Sequence, residues 1–426
     1  MNLTKYIALC LLCSGNSLVP FAQPAPAKPQ KGTMAISGAD IHTGNGNYIP
    51  SGIIVFENGK ISYVGQDRSR LQGVDSVLDV PGLHAYPGFI AMASNLGLAE
   101  IEQVRATLDY RELGNYNPNI RSFTSFNTDS KVLPTVRSNG VLLAQVAPQG
   151  GVIPGQSSVF QLDAWNWEDA VLSADEGLFV NWPNPSVSRR QKSQEADPEN
   201  QYLQAVRALY EYFDHAKAYA LLPGNPAEVH LGYEALRKLW TREKTLYIQA
   251  NPAKALVHAI QFAQHYKLRL VLVGASDASH ILPLLKESKT PIVLSQPHRL
   301  PSRTDEAVDL PFATPSILLK TGIPFCLSMN GFWEQRNLPF QAGHCTAFGL
   351  DYESAVSSIS LQAARILGID DRCGSIETGK DATFFLSKGD ALDMKTHEVT
   401  HAFIQGRSID LDNKHKELYR RFRAKY

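Results

Sequence analysis

Leu246-Tyr247-Ile248-Gln249, then the helical pattern from Pro252 to Tyr266, then Leu268-Arg269-Leu270-Val271-Leu272-Val273, decide how this chain folds. Two short apolar runs rich in β-branched and aromatic residues flank a stretch of helix length with apolar residues at helical spacing. That order describes a strand, a crossover helix and a second strand parallel to the first. The rhythm continues on both sides. Further strand-like runs lie at Tyr86 to Met92, Gly140 to Val146, Pro291 to Leu294 and Ile323 to Leu327. Helical stretches fall at Gln201 to Leu222, Glu228 to Arg242, Ala278 to Ser288 and Tyr352 to Leu367. Alternation of this kind predicts an α/β protein, and its length suits a (β/α)8 barrel of the TIM type over residues 86–370. An open doubly wound sheet is the other arrangement with this rhythm. No Gly-x-Gly-x-x-Gly follows the first strand, which argues against a dinucleotide site.

Both flanks of this region have a β texture. Gly52 to Phe56 and Ile61 to Gly65 are separated by Glu57-Asn58-Gly59-Lys60, and Asn-Gly between two such runs is a hairpin signal. Similar runs return at Ala382 to Leu386 and Val399 to Ile404. The tail, residues 411–426, is basic and helical in pattern, which reads as a solvated terminal helix.

The chain has 426 residues, 41 basic and 41 acidic side chains, 12 histidines, and 44% hydrophobic against 19% charged residues. This excludes disorder, and the zero net charge removes the footprint of a general nucleic-acid binder. Residues 1–22 read as a secretory signal peptide: one charge, Lys5, precedes the apolar run Ile7 to Leu12, and cleavage is expected near Ala22. The expected location is therefore outside the cytoplasm, periplasmic or secreted. Residues 23–33 alternate Pro and Ala and read as a solvated leader. No stretch reaches the roughly 18 apolar residues of a membrane span. Cys10 and Cys13 fall inside the signal, and Leu12 is too large to precede a lipid-attachment cysteine. Cys326, Cys345 and Cys373 remain, so at most one disulfide can form, and the sequence does not say whether any does; small buried hydrophobes is the simpler reading.

Several segments resemble the amidohydrolase superfamily, in its imidazolonepropionase-related branch. Tyr86-Pro87-Gly88-Phe89-Ile90 resembles the entry into that family's first barrel strand. Gly374-Ser375-Ile376-Glu377-Thr378-Gly379-Lys380-Asp381-Ala382 resembles the return to its β-sandwich. Asn139-Gly140-Val141, Arg336-Asn337-Leu338-Pro339-Phe340 with Ala342-Gly343, and Ala363-Ala364-Arg365-Ile366-Leu367-Gly368 add to the likeness, which runs from about residue 34 to 410. It implies a small β-sandwich built from both chain ends, residues 34–85 and 372–410. It also implies one or two divalent metals that activate water against an amide, lactam or related carbon.

The family's ligands are an H-x-H pair after strand one, a histidine after each of strands five and six, and an aspartate after strand eight. Here the H-x-H positions hold Ala93 and Asn95, strand five ends in Gln249, strand six in Ser276, and Asn330 stands where the catalytic aspartate is expected. Neutral amides and a hydroxyl do not replace imidazoles for zinc. Without metal, the pKa of the attacking water rises from about 7 back toward that of bulk water. The expectation is therefore an exported, catalytically degenerate member with no catalytic residue, metal or cofactor. It would bind a small molecule or pair with an intact homologue or with itself. The alternative is an active hydrolase of non-peptide carbon–nitrogen bonds, of a cyclic amide or acyl amino acid, with zinc in an atypical site. A plain small-molecule binding protein is the third reading.

Candidate ligand-binding residues are Asn95, Gln249 and Asn330, joined by His298, Arg299 and Arg303 on the loop after a barrel strand. His397-Glu398-Val399-Thr400-His401 matches H-E-x-x-H but falls in a strand pattern, where the two imidazoles would stand roughly 13 Å apart. Gly150-Gly151-Val152-Ile153-Pro154-Gly155-Gln156-Ser157-Ser158 lacks a P-loop ending and reads as a structural turn. The pair Trp165 and Trp167 reads as helix packing, and His84 as a linker residue.

Overall fold

The computed structural model describes residues 25–185, 198–222 and 228–425; the expected signal segment and its cleavage position lie outside them. Five strands come first: β1 (Met34–His42), β2 (Tyr48–Glu57), β3 (Lys60–Gly65), β4 (Ser76–Asp79) and β5 (His84–Pro87). The hairpin between β2 and β3 turns at Asn58 and Gly59, with φ of 50° and 77°, the positive values that a two-residue turn demands.

The barrel follows as β6 (Phe89–Ser94), β7 (Val141–Val146), β8 (Gly155–Gln161), β9 (Val171–Asn181), β10 (Thr245–Ala250), β11 (Leu270–Gly274), β12 (Ile292–Ser295) and β13 (Phe325–Ser328). These eight strands lie side by side in chain order. Ser328 Oγ donates to Met92 O at 2.6 Å and links the last strand to the first, so the sheet is a nearly closed, TIM-like barrel. Helices Ala253–Tyr266, Leu282–Ser288 and Leu310–Thr321 carry the crossovers from β10 to β13.

One strand corrects the expected (β/α)8 pattern. β8 is antiparallel to both β7 and β9, whereas the other neighbours within the barrel sheet run parallel. The cause is chain length. Only residues 147–154 join β7 to β8, and a parallel return needs a crossover of about a dozen residues or more. The glycine-rich run is therefore half turn and half strand, since Gly155 to Ser158 belong to β8.

The chain then returns through β14 (Phe384–Ser387), β15 (Val399–Ile404) and β16 (Arg407–Ser408). β14 pairs antiparallel with β5, giving a separate sheet in the order β16-β15-β14-β5-β1-β2-β3 from both parts of the chain. β1 divides one edge between β4, along Met34 to Ser37, and β5, along Asp40 and Ile41. The eight strands are thus one hydrogen-bonded sheet. It lies close against the barrel: a Cβ on Gly140 would come within 2.6 Å of the Phe385 ring, and Gly140 has a φ of +82°. No larger residue fits there.

Residues 25–33, expected as a solvated leader, are docked. Ala27 N–H donates to Asp163 Oδ2 at 3.0 Å, and the Gln30 amide bridges Phe56 O and Gly59 N–H at 2.8 and 3.0 Å. The terminal helix Lys414–Arg423, capped by Asn413, has no buried residue. Among the described residues no helix is long and apolar enough to cross a membrane. Cys326, Cys345 and Cys373 are free and buried, and burial pushes the Cys345 and Cys373 thiols up to about 12.

Candidate functional site

A cavity of about 650 Å³ opens at the carboxyl ends of β9 to β12, and a smaller one of about 380 Å³ adjoins it on the β6 and β7 side. Both are lined by Asn181, Gln249, Ser295 and Asn330. Strand register explains the grouping: Asn181 stands opposite Gln249, and Ser295 opposite Ser328. In a barrel of this kind the strand ends present their side chains to one mouth.

Carboxamides dominate this mouth: Asn181, Asn184, Gln249, Asn251, Gln296 and Asn330 line the larger cavity. Asn330 Nδ2 donates to Gln296 Oε1 at 3.0 Å, and Asn181 Nδ2 to Gly151 O at 2.9 Å. The exposed Gln249 side chain makes no hydrogen bond among the described residues, leaving two donors and an acceptor for a ligand.

The charged groups at the mouth are paired. Arg303 NH1 lies 2.5 Å from Asp277 Oδ1, its Nε 3.1 Å from Asp305, and its NH2 3.1 Å from His280 Nε2. Arg299 NH2 lies 2.6 Å from Glu306 Oε1, and the Ser302 N–H and hydroxyl donate to the same carboxylate. The Arg299 bonds, helped by Ser302, hold the Glu306 carboxyl down at about 2.

The sequence-predicted residues do not all meet. Gln249, Ser276, Arg299, Arg303 and Asn330 line the larger cavity, while Ala93 joins Gln249 and Asn330 around the smaller one. Asn95 lines neither: it is buried, and its side-chain oxygen has no partner. His298 turns away to stack on His344, ring centroids 4.7 Å apart, and its N–H donates to Gln341 Oε1 at 2.9 Å. His401 lies on β15, and His397 just before it bonds to Ala391 O at 2.9 Å. His84, on β5, bonds to His42, which holds Glu353 at 2.6 Å.

Sequence reasoning missed Asn181, Gln296 and Asp277. Asn181 ends an apolar run, Leu178-Phe179-Val180, that had not been read as a strand. Gln296 and Asp277 lie just past strands that had been found, and a polar residue there was the available signal.

Among the described residues, the side chains around the two cavities do not make up the donor set of a catalytic metal. Among the described residues Asp277 is the one carboxylate around either cavity, and both its oxygens are engaged, by Arg303 and by Ala253 N–H at 3.1 Å. Among the described residues no three His, Cys, Asp or Glu side chains gather as a metal site would require.

A polar cluster lies inside the barrel. Ala93, at a strained φ of +52°, donates its N–H to Gln145 Oε1 at 3.1 Å. The Glu176 carboxyl receives Gln145 Nε2 at 2.7 Å, Ser157 Oγ at 2.5 Å and Tyr247 OH at 3.1 Å. Burial raises its pKa even though all three bonds act in the opposite direction.

Residues 332–409 match the amidohydrolase family model. The fold is similar to that of an amidohydrolase from Thermotoga maritima MSB8, with a TM-score of 0.77 and 21% identity over 88% of this chain and 99% of that one. It is also similar to a zinc-bound adenosine deaminase from Xanthomonas campestris, with a TM-score of 0.53 and 14% identity over 93% and 99% of the two chains. An ochratoxinase from A. niger gives a TM-score of 0.54 and 12% identity over 88% and 95%. No curated protein sequence matches the chain. The family match is confined to residues 332–409, and the likeness to these solved structures is one of fold.

Proposed function

We propose that this chain is an exported, imidazolonepropionase-related member of the amidohydrolase superfamily whose barrel mouth binds a small, neutral, hydrogen-bonding molecule without a catalytic metal. One observation carries the reading. Gln249 offers an unengaged carboxamide where the family resemblance expects a metal-binding histidine, and five other carboxamides share its cavity. Amides both donate and accept, which suits amide, ureide or hydroxyl groups, and the two arginines already have carboxylate partners. Pairing with an intact homologue is compatible with this role.

Hydrolysis of a non-peptide carbon–nitrogen bond is the second reading. The similar structures named above are an amidohydrolase, an adenosine deaminase and an ochratoxinase, and Asp277 supplies one carboxylate at the mouth of this chain. Thermal-shift screening with cyclic amides and acyl amino acids, together with zinc analysis of the purified protein, separates the two. The binding reading expects ligand stabilisation that Gln249→Ala removes, no turnover and no stoichiometric zinc. Turnover abolished by a chelator would establish the hydrolase instead.

A further inference from the structure

We infer that a basic cleft at the opposite end of the barrel binds a soluble organic anion, a phosphate monoester with an apolar body. The cleft, about 820 Å³, lies where β11, β12 and β13 begin, against the helix Leu361–Leu367. Arg242, Lys267, Arg269, Lys289 and Arg365 line it, all exposed, and among the described residues no carboxylate does. Among the described residues none of the five forms an ion pair with an acidic side chain. The chain as a whole is neutral, so this concentration is local.

Backbone conformation adds a second observation. Arg242, Lys267 and Lys289 have φ of 63°, 56° and 51°, each just past the end of a helix. Glycine takes such positions without penalty, and it does so at Gly322 and Gly368. Three long cations in left-handed backbone around one cleft point to a use for their charge. Complementing helix dipoles explains only part of it. Four helix carboxyl ends at about half a negative charge each offset about two of the five positive charges. The remaining charge faces a floor of buried apolar side chains, Ile260, Leu268, Leu270, Val271 and Ile366. Guanidinium forks favour phosphate oxygens, while the floor favours an apolar body.

Isothermal titration of the whole protein with dodecyl phosphate below its micelle concentration tests the assignment. One equivalent should bind, at least tenfold more tightly than inorganic pyrophosphate or dodecyl maltoside. Lys267→Gly with Lys289→Gly removes two charges and relieves left-handed strain, so the variant should stay folded while affinity falls about tenfold, the sum of two modest charge contacts. Equal affinity for either control, affinity unchanged in the variant, or binding only to phosphatidylglycerol vesicles would each overturn the proposal. None of these outcomes depends on what the barrel mouth binds.

Discussion

Gln145 donates to the Glu176 carboxyl at 2.7 Å and with its other side-chain atom accepts the Ala93 N–H, so one amide ties a buried acid to a strained residue at the mouth. Glu176 is held above its ordinary value by burial, which keeps its proton in the native state after the unfolded chain has lost it. The native state then binds more protons than the unfolded state, and stability falls as pH rises from about 4.3 toward the folded pKa. Glu176→Gln should flatten this slope, because the Ser157 and Tyr247 hydroxyls can turn to accept its amide. Glu176→Ala strands the Gln145 donor and two hydroxyls, an expected loss of about 3 kcal/mol or more. Urea unfolding of the three proteins between pH 4 and 9 decides; identical slopes for wild type and Glu176→Gln would sink the idea.

A second buried acid holds distant parts of the chain together. Asp163 accepts Arg137 NH1 at 2.5 Å, Arg407 NH1 at 2.9 Å and Ala27 N–H at 3.0 Å, linking barrel, final strands and the docked segment 25–33. Burial pulls the Arg137 guanidinium below its usual value, and Asp163 is what offsets that. Removing the acid leaves an uncompensated buried cation, so Asp163→Ala should cost about 3–5 kcal/mol and Asp163→Asn less. A change in unfolding free energy under about 1 kcal/mol for Asp163→Ala would show the pair to be dispensable.

Barrel and terminal sheet were legible where the local pattern determines the structure. Leu246 to Val273 showed strand, helix and strand, and Asn58-Gly59 showed its hairpin, because period and turn chemistry are properties of neighbours in sequence. β8 and β9 escaped. Gly155 to Gln161 begins in a glycine-rich run, and its direction follows from loop length and not from composition. At the mouth, Gln249 and Asn330 were found through the resemblance, as the residues at its ligand positions. Asn95 was placed by the same resemblance and His298 by its loop after a strand, but both left the cavity, since neither rule gives side-chain direction. The Gln145–Glu176 cluster, and the closeness of Arg242 to Lys289, arise from tertiary packing that spacing does not encode.

The loop over the mouth carries its own pH signature. Glu306 is depressed to about 2, chiefly by Arg299, and its side chain is 1% exposed. A depressed carboxyl stabilises the native state above its unfolded pKa of about 4.3 and loses that contribution as pH falls toward 2. Glu306→Gln should weaken the loop by about 2 kcal/mol at pH 7, the scale of a charge-assisted hydrogen bond. It should leave little further loss on acidification. Hydrogen exchange at the Ser302 amide, which donates to Glu306 at 2.6 Å, reads this locally; unchanged protection in the variant would count against it.

Restoring metal ligands tests the mouth most directly. Ala93, Gln249 and Asn330 line one cavity of about 380 Å³, so Ala93→His, Gln249→His and Asn330→Asp together would supply two imidazoles and a carboxylate to a shared space, a donor set that suits catalytic zinc. Histidine also tolerates the positive φ at position 93 better than most residues. The triple variant should retain about one zinc per chain after dialysis, where wild type retains none in stoichiometric amount. Adding Asn95→His should contribute nothing, because that side chain is buried away from both cavities. Zinc measured by atomic absorption before and after chelation gives the answer. A full equivalent in wild type would mean that neutral amides and one paired aspartate are not the whole donor set, and the binding role proposed for Gln249 would fall with it.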